Sequence, residues 1–235
     1  MKILKTASAL AILTVASNAM AASNWNSSVE LGLLLTAGNT ETQSTNAKAS
    51  VAHESNNWRN EVKAEALNVK GKQGRLSERY IASGKASLKY SDTSYSFLSA
   101  NGEHDPFSGY AYQAGAALGY GYRIIGSESK LLDFEGGLGY RQTRLRGVDT
   151  PEKEPVLRIS AKYVQKLSKT AEFSEEFVTA VGEIKTITRS VTALSAQVVG
   201  NMSMKASLTI ENNSNVPEGI KPTDAETAIT LVYKF

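Results

Sequence analysis

The feature of this sequence that most restricts its fold is a hydrophobic period of two that recurs along almost the whole chain. It is clearest from Gly109 to Arg123, where aromatic and aliphatic residues alternate with glycine and polar residues. Similar alternation covers 79–90, 132–141, 157–164, 204–211 and 227–235. A period of two places successive side chains on opposite faces of an extended strand, whereas an amphipathic helix repeats every 3.6 residues. The chain is therefore predicted to be all-β.

Weaker alternation predicts further strands and brings the total to twelve. These strands lie near 27–36, 41–53, 58–69, 94–104, 171–182 and 188–199. No amphipathic helix of about ten or more residues is evident between the strands, which argues against a parallel sheet with crossover helices. Consecutive strands are expected to pair antiparallel.

The lengths of the predicted connections also alternate. The even-numbered connections are short, and the two longest, near 143–155 and 212–223, are odd-numbered. Short periplasmic turns and longer external loops are typical of an up-and-down barrel in an outer membrane, whereas a Greek-key sandwich has no such alternation. The sequence thus predicts a twelve-stranded antiparallel transmembrane β-barrel with both termini in the periplasm.

Tyrosines mark both limits of the predicted apolar face on two of these strands. They are Tyr80 and Tyr90 on one strand and Tyr110, Tyr112, Tyr120 and Tyr122 on another. Ten strand residues at about 3.3 Å each, tilted by about 40°, rise roughly 25 Å, which is the height of a membrane apolar band. Tyrosine at both limits is typical of interfacial girdles. The alternative architecture is a soluble periplasmic β-sheet protein, whose core would have to supply partners for these hydroxyls.

The first residues predict export. Lys2 and Lys5 precede an apolar run over 7–15, and Ala19 and Ala21 form a small-x-small cleavage pattern. We expect residues 1–21 to be a removed signal peptide and 22–235 to be a single barrel domain. The formal charge of +3 includes the two leader lysines, so the exported chain is nearly neutral and no nucleic-acid partner is expected. The chain has no cysteine, so no disulfide holds the fold together.

Four short motifs carry a resemblance to a known family. They are Gly38-Asn39-Thr40, Gly119-Tyr120-Gly121-Tyr122-Arg123, Gly137-Leu138-Gly139-Tyr140-Arg141 and Val232-Tyr233-Lys234-Phe235. In this order and spacing they resemble the family of salt-induced outer membrane proteins, a domain family of unknown function. The resemblance covers nearly the whole exported chain. It implies a barrel fold and an outer membrane location, and it provides no catalytic residue to carry over.

The last strand carries a candidate assembly signal. Ile229, Leu231, Tyr233 and Phe235 share one face of it. This face is similar to the terminal signal that the barrel assembly machinery of Gram-negative bacteria reads. Outer membrane lipids and that machinery are therefore the expected partners.

Two groups of polar residues are candidates for a chemical site. His53 and Ser55 have a His-x-Ser spacing that resembles the outer membrane phospholipase pair, which would make the protein a lipid-acting enzyme. In that family the site faces the outer leaflet, whereas His53 falls at the periplasmic end of its strand and no third orienting group is evident. Glu103, His104 and Asp105 form the second group, which could bind a metal ion. However, neighbouring side chains on a strand point in opposite directions, and no fourth ligand is evident. The sequence predicts no enzyme activity, cofactor or metal.

Charged residues on the other strand face are candidates for the barrel lumen. The strongest candidates are Arg79, Lys85, Asp133, Glu135, Arg141, Arg158 and Lys162, accompanied by Glu61, Lys63, Glu65, Lys89, Lys166, Glu172 and Glu176. Buried charges persist only when they are paired or hydrated. Two interpretations stay open: an ion-pair network that fills a narrow barrel, or the lining of a small water-filled pore. The predicted function is a non-enzymatic barrel with a structural or envelope-stress role, or minor passage of small solutes or ions.

Inward glycines on two adjacent strands predict that one wall of the barrel is thin. They are Gly115, Gly119, Gly121, Gly137 and Gly139. Asp133 and Glu135 are expected to face Arg158 and Lys162 on the next strand. A thin wall beside a charged wall leaves either an eccentric passage or room for long basic side chains to fold across.

Overall fold

The computed structural model describes residues 24–36, 42–71 and 74–235, and in them the chain forms twelve strands. The strands are β1 (Trp25–Thr36), β2 (Thr42–Glu54), β3 (Trp58–Gly71), β4 (Gly74–Lys89), β5 (Ser94–His104), β6 (Tyr110–Gly126), β7 (Lys130–Leu145), β8 (Glu152–Lys166), β9 (Ala171–Gly182), β10 (Thr186–Val199), β11 (Met202–Asn213) and β12 (Thr223–Lys234). Each strand pairs antiparallel with the next, and β1 pairs with β12 to close the barrel. The predicted all-β twelve-stranded barrel is confirmed. The predicted cleavage residues Ala19 and Ala21 lie outside the described residues.

The two ends of the barrel differ. The terminal end carries the start of β1, the end of β12 and the turns 55–57, 90–93, 127–129, 167–170 and 200–201. The loop end carries, among the described residues, the connections 105–109, 146–151, 183–185 and 214–222. The predicted long connection over 143–155 is shorter than expected, because β8 already begins at Glu152. Pro155 does not end this strand. β9 pairs with β8 only from Val156 onward. Pro155 therefore has no partner strand on that side that would require a hydrogen bond from a backbone N–H, which proline lacks. No helix in the described part of the chain is long and apolar enough to cross a membrane.

The outer surface is apolar between two aromatic zones. Leu118 is 67% exposed and Leu138 is 69% exposed, although both lie in the middle of long strands. Exposed aromatic residues nearer the terminal end include Trp25, Trp58, Tyr90, Tyr122 and Tyr233, and those nearer the loop end include Tyr80 and Tyr140. This distribution is the one that a lipid-facing barrel wall requires.

Tyr110 is an exception, and its assignment to the outer girdle is wrong. A β-bulge between Tyr110 and Tyr112 places them opposite Leu145 and Arg144, which inserts one residue and reverses the direction of the Tyr110 side chain. Tyr110 is only 4% exposed, and its hydroxyl donates a hydrogen bond to the Asn215 carbonyl at 3.0 Å. The ring therefore lies beneath the loop-end connections rather than in lipid.

The glycines of β6 and β7 allow an unusually close approach of the two backbones. A Cβ atom placed on Gly119 would lie 2.2 Å from the Gly136 carbonyl oxygen, and one on Gly137 would lie 2.4 Å from the Leu118 carbonyl oxygen. A Cβ on Gly121 would collide with the ring of Tyr95, which packs over this glycine from β5. The predicted thin wall therefore exists, but Tyr95 covers its terminal end.

Candidate functional site

The lumen contains a cavity of about 540 Å³, and among the described residues its lining has equal numbers of basic and acidic side chains. The basic residues are Arg59, Lys63, Lys85, Arg141, Arg158, Lys162 and Arg189. The acidic residues are Glu61, Glu65, Glu103, Asp133, Glu135, Glu176 and Glu211. The lining extends from Arg59 and Asp133 near the terminal end to Arg141 and Glu211 near the loop end. The cavity thus follows much of the barrel's length without a net charge.

The cavity is eccentric within the barrel. On one side it meets small side chains, including Ser99 and Asn101 of β5 and Gly115 and Ala117 of β6. In the described part of the chain, β1 and β12 contribute no lining residue. Buried polar side chains such as Thr230 occupy that other half of the interior. Free space therefore lies against the wall of small residues.

An ion pair crosses the full width of the lumen. Lys63 on β3 lies 3.5 Å from Glu176 on β9, six strands away around the barrel. Glu176 also lies 3.0 Å from Lys162 on β8, and Lys63 lies 3.3 Å from Glu61. One carboxylate thus joins two opposite walls.

A second bridge runs beside the first. Arg189 on β10 lies 3.1 Å from Glu65 on β3 and 3.5 Å from Glu211 on β11. Lys48 of β2 lies 3.4 Å from the same Glu65 carboxylate. Together the two bridges separate the cavity from the half of the lumen that is filled.

Glu135 organises a buried cluster toward the terminal end. It is 5% exposed and contacts Lys85, and it lies 3.3 Å from Arg158. The Tyr95 hydroxyl donates to it at 2.8 Å and the Ser160 hydroxyl at 2.9 Å. Three strands, β4, β5 and β8, therefore supply four partners to one carboxylate, which satisfies its oxygens despite burial.

Asp133 forms a neighbouring cluster, and its ionic partner is not the lysine that it faces on β8. Although Asp133 is in register with Lys162, its carboxylate binds Arg123, which donates at 2.7 Å and 3.0 Å. The planar guanidinium of Arg123 fits a carboxylate bidentately, which an ammonium cannot do. Lys162 instead pairs with Glu176, whereas the predicted contact between Arg158 and Glu135 is present.

The loop end of the lumen is covered by the turn 183–185. Arg141 lies 2.6 Å from Glu154 and also donates to the Lys185 carbonyl, while the Ile184 amide donates to Glu154 at 2.7 Å. Asn215 of the β11–β12 loop donates to the Ile184 carbonyl at 3.2 Å. These bonds hold both connections over the barrel mouth.

Lys185 is the buried residue of the turn 183–185. Its side chain is 3% exposed, donates to Gln113 at 2.8 Å and lies 4.0 Å from the centre of the Tyr110 ring. Burial, with the nearby Arg141 guanidinium, lowers the pKa of Lys185 to about 8. The sequence does not indicate Lys185 or Glu154 as site residues, because alternation predicts that each lies in a connection between strands, although Glu154 belongs to β8.

A family model described as a protein of unknown function, DUF481, matches residues 29–235. The chain belongs to the DUF481 family. This DUF481 protein is 26% identical over 205 residues to the uncharacterized protein YdiY of Escherichia coli strain K12, which covers 87% of this chain and 81% of YdiY. The family resemblance seen in the sequence motifs is confirmed.

Two solved structures share the barrel fold of this DUF481 chain. The NanC porin has a TM-score of 0.57 with 9% identity, covering 88% of this chain and 98% of that one. The COG4313 outer membrane channel from Pseudomonas putida F1 has a TM-score of 0.51 with 8% identity, covering 92% and 97%. At such identities the likeness shows the fold alone, which is that of outer membrane barrels.

Of the strongest predicted lumen residues, six line the cavity of the DUF481 barrel and one does not. Arg79 lies apart from the cavity, 2.5 Å from Glu226 on β12, which also accepts a hydrogen bond from Asn46 at 2.9 Å. The Arg79 pair therefore belongs to the filled half of the lumen.

His53 and Ser55 are engaged in different contacts at the terminal end. The His53 ring lies 4.6 Å from the Trp25 ring. The Ser55 hydroxyl accepts a hydrogen bond from the Trp58 amide at 3.2 Å and so holds the turn. Among the described residues no hydrogen bond joins His53 to Ser55, and no group of His, Asp and Glu side chains is arranged to hold a metal ion.

The predicted assembly face lies on the outside of the barrel. Ile229, Leu231, Tyr233 and Phe235 are all exposed. The rings of Tyr233 and Phe235 meet edge to face at 4.9 Å, and the Phe235 amide donates to the Ser27 carbonyl at 2.9 Å. The last residue thus extends the seam between β12 and β1.

Proposed function

We propose that this DUF481 barrel passes small polar solutes across the outer membrane through its eccentric cavity. The observation that carries the proposal is the cavity itself, which extends between clusters near both ends of the barrel although the lumen is crossed by ion pairs. A core packed only for stability would leave little space of this size, because protein interiors contain few voids larger than a water molecule. The porin and channel folds of its structural neighbours agree with this role.

The proposal includes export by residues 1–21 and insertion of 22–235 with both termini in the periplasm. Exposed leucines at the centre of the wall and aromatic residues at its limits favour a lipid environment over a soluble periplasmic one. The longest described connection, 214–222, lies at the loop end, and long loops of such barrels are external. Insertion through the barrel assembly machinery follows from the exposed terminal face.

The competing role is a filled, purely structural barrel. It is supported by the Glu135 cluster and by the covered loop end. The lipid-acting enzyme finds less support, since the Ser55 hydroxyl is occupied in its turn.

Conductance of the purified full chain in planar lipid bilayers tests the proposal. We expect small, reproducible conductance steps, and larger steps in Lys63→Met, which removes the cross-lumen bridge while leaving Glu176 paired with Lys162. Lys70→Met on the same strand is the matched control, because Lys70 is exposed near the loop end of β3. A folded barrel that gives no steps in the parent or in Lys63→Met would support the structural role instead.

A further inference from the structure

Several carboxylates of the cavity lining each bind two cations. Glu135 lies between Lys85 and Arg158, and Glu176 lies between Lys63 and Lys162. In the part of the chain that the structure describes, equal numbers of basic and acidic residues line the cavity. A pore that selects simple ions instead presents an excess of one sign, which concentrates ions of the other sign.

An ion that binds at one of these paired sites must compete with the existing pair. An anion that binds Lys162 withdraws the lysine from Glu176, and a cation that binds Glu176 withdraws the carboxylate from Lys162. Either event leaves one half-buried charge with fewer partners, and losing a partner is costly where water is scarce. Both kinds of single charge therefore meet a barrier.

A zwitterion avoids this cost. Its ammonium group binds the carboxylate of an opened pair while its carboxylate binds the released lysine or arginine, so no charge is left alone. An uncharged solute of the same size can form hydrogen bonds with the lining. It cannot replace either charged member of an ion pair, so it does not open the pairs. The wall of small residues beside Gly115 and Ala117 leaves room for the rest of the molecule.

Resting on the proposed solute passage, we infer that this barrel favours small zwitterions, of which amino acids are the simplest class, over singly charged and uncharged molecules of the same size. The lining pairs act as exchange sites along which a zwitterion moves from one pair to the next. The barrel is thus selective for a charge pattern rather than for a sign of charge.

Tracer efflux from liposomes containing the full-length folded barrel tests this inference. Four solutes of nearly equal size are compared at pH 6: alanine as the zwitterion, lactate as the anion, alaninamide as the cation and lactamide as the uncharged molecule. After subtraction of efflux from protein-free liposomes, alanine should leave about fivefold faster than each of the others, which corresponds to about 1 kcal/mol.

Two substitutions and their combination separate charge pattern from pore size. Lys162→Gln leaves the lining with excess negative charge and should favour alaninamide, whereas Glu176→Gln should favour lactate. The double variant Lys162→Gln with Glu176→Gln restores charge balance and should restore the preference for alanine. Both side chains are partly exposed to the lumen, so folding should survive, and heat-dependent migration on a gel checks it.

The outcomes distinguish the two proposals. Efflux of all four solutes at similar rates, or a double variant that fails to restore the alanine preference, overturns the zwitterion inference and leaves solute passage standing. Retention of all four solutes by a folded barrel overturns solute passage, and the zwitterion inference with it.

Discussion

Lys63 and Glu176 lie 3.5 Å apart across the lumen, although their strands are on opposite walls of the barrel. Strand pairing fixes neighbouring strands but does not set the distance between opposite walls. This ion pair, with the bridge from Arg189 to Glu65, provides such a link. The same side chains therefore hold the wall in shape and restrict the space beside them.

High salt should widen the passage beside the two ion-pair bridges. The charges are screened over about 10 Å at 0.1 M salt and about 3 Å at 1 M, so high salt weakens the partly hydrated bridges. We expect conductance to rise more steeply than the conductivity of the bulk solution between these concentrations. The Lys63→Met variant should lose most of this extra rise in conductance, whereas the Lys70→Met variant should keep it. Strict proportionality to bulk conductivity in the parent would contradict this prediction.

Glu135→Gln should destabilise the barrel by about 3 kcal/mol. The neutral amide leaves Lys85 and Arg158 without their shared counter-charge in a buried site, and removing one member of a buried pair typically costs this much. Thermal unfolding in detergent micelles, followed by circular dichroism, measures the change. Glu183→Gln is the control, because Glu183 is exposed in the 183–185 turn, and equal losses in the two variants would refute the role given to the cluster.

The stability of the barrel should rise with pH above pH 8 because of Lys185. Its folded-state pKa, about 8, lies below the ordinary value of 10.5. Between these values the unfolded chain holds a proton that the folded chain has released, so raising the pH favours the folded state. The gain is about 1 kcal/mol between pH 8 and pH 9.

Lys185→Met provides the matched measurement for this pH effect. Methionine cannot titrate. The difference in unfolding free energy between parent and variant should therefore change by about 1 kcal/mol between pH 8 and pH 9. The charged neighbours that act on Lys185 are Arg141, Glu154, Glu152 and Glu103. Parallel pH profiles of the two proteins would show that Lys185 keeps its ordinary pKa.

The two glycines of one β6–β7 contact should respond very differently to alanine. A Cβ on Gly119 would lie 2.2 Å from the Gly136 carbonyl oxygen, whereas a Cβ on Gly136 meets nothing within 4 Å. Gly119→Ala must separate two paired backbones and should lower the folded yield several-fold, while Gly136→Ala should fold normally. Refolding into detergent, scored by heat-dependent migration, measures both. Equal yields would mean that the strands can move apart at little cost.

Local alternation predicted the strands but not the contacts inside the barrel. Leu118 and Leu138 were placed on the outer face by period alone, since a lipid-facing wall demands apolar residues at every second position. Tyr110 was misplaced because a single bulged residue reverses the side-chain direction, and periodicity does not reveal bulges. Lys162 is in register with Asp133 on β7 and also with Glu176 on β9, so alternation places a carboxylate on either side of it and does not indicate which one its ammonium contacts.

Removal of Phe235 should slow barrel assembly and lower the amount of folded protein in the outer membrane several-fold. The seam between β1 and β12 pairs in register from Ser28 and Lys234 to Leu31 and Leu231, and the Phe235 amide adds a hydrogen bond to the Ser27 carbonyl. Deletion removes this bond and the ring that packs against Tyr233, both at the seam that closes the barrel. Phe235→Tyr keeps the backbone bond and the aromatic ring, so it should assemble normally. Pulse labelling of cells measures how fast each protein reaches the heat-modifiable, folded form. If the deletion variant and the parent fold at the same rate, at low as well as high expression, Phe235 is not part of the assembly signal.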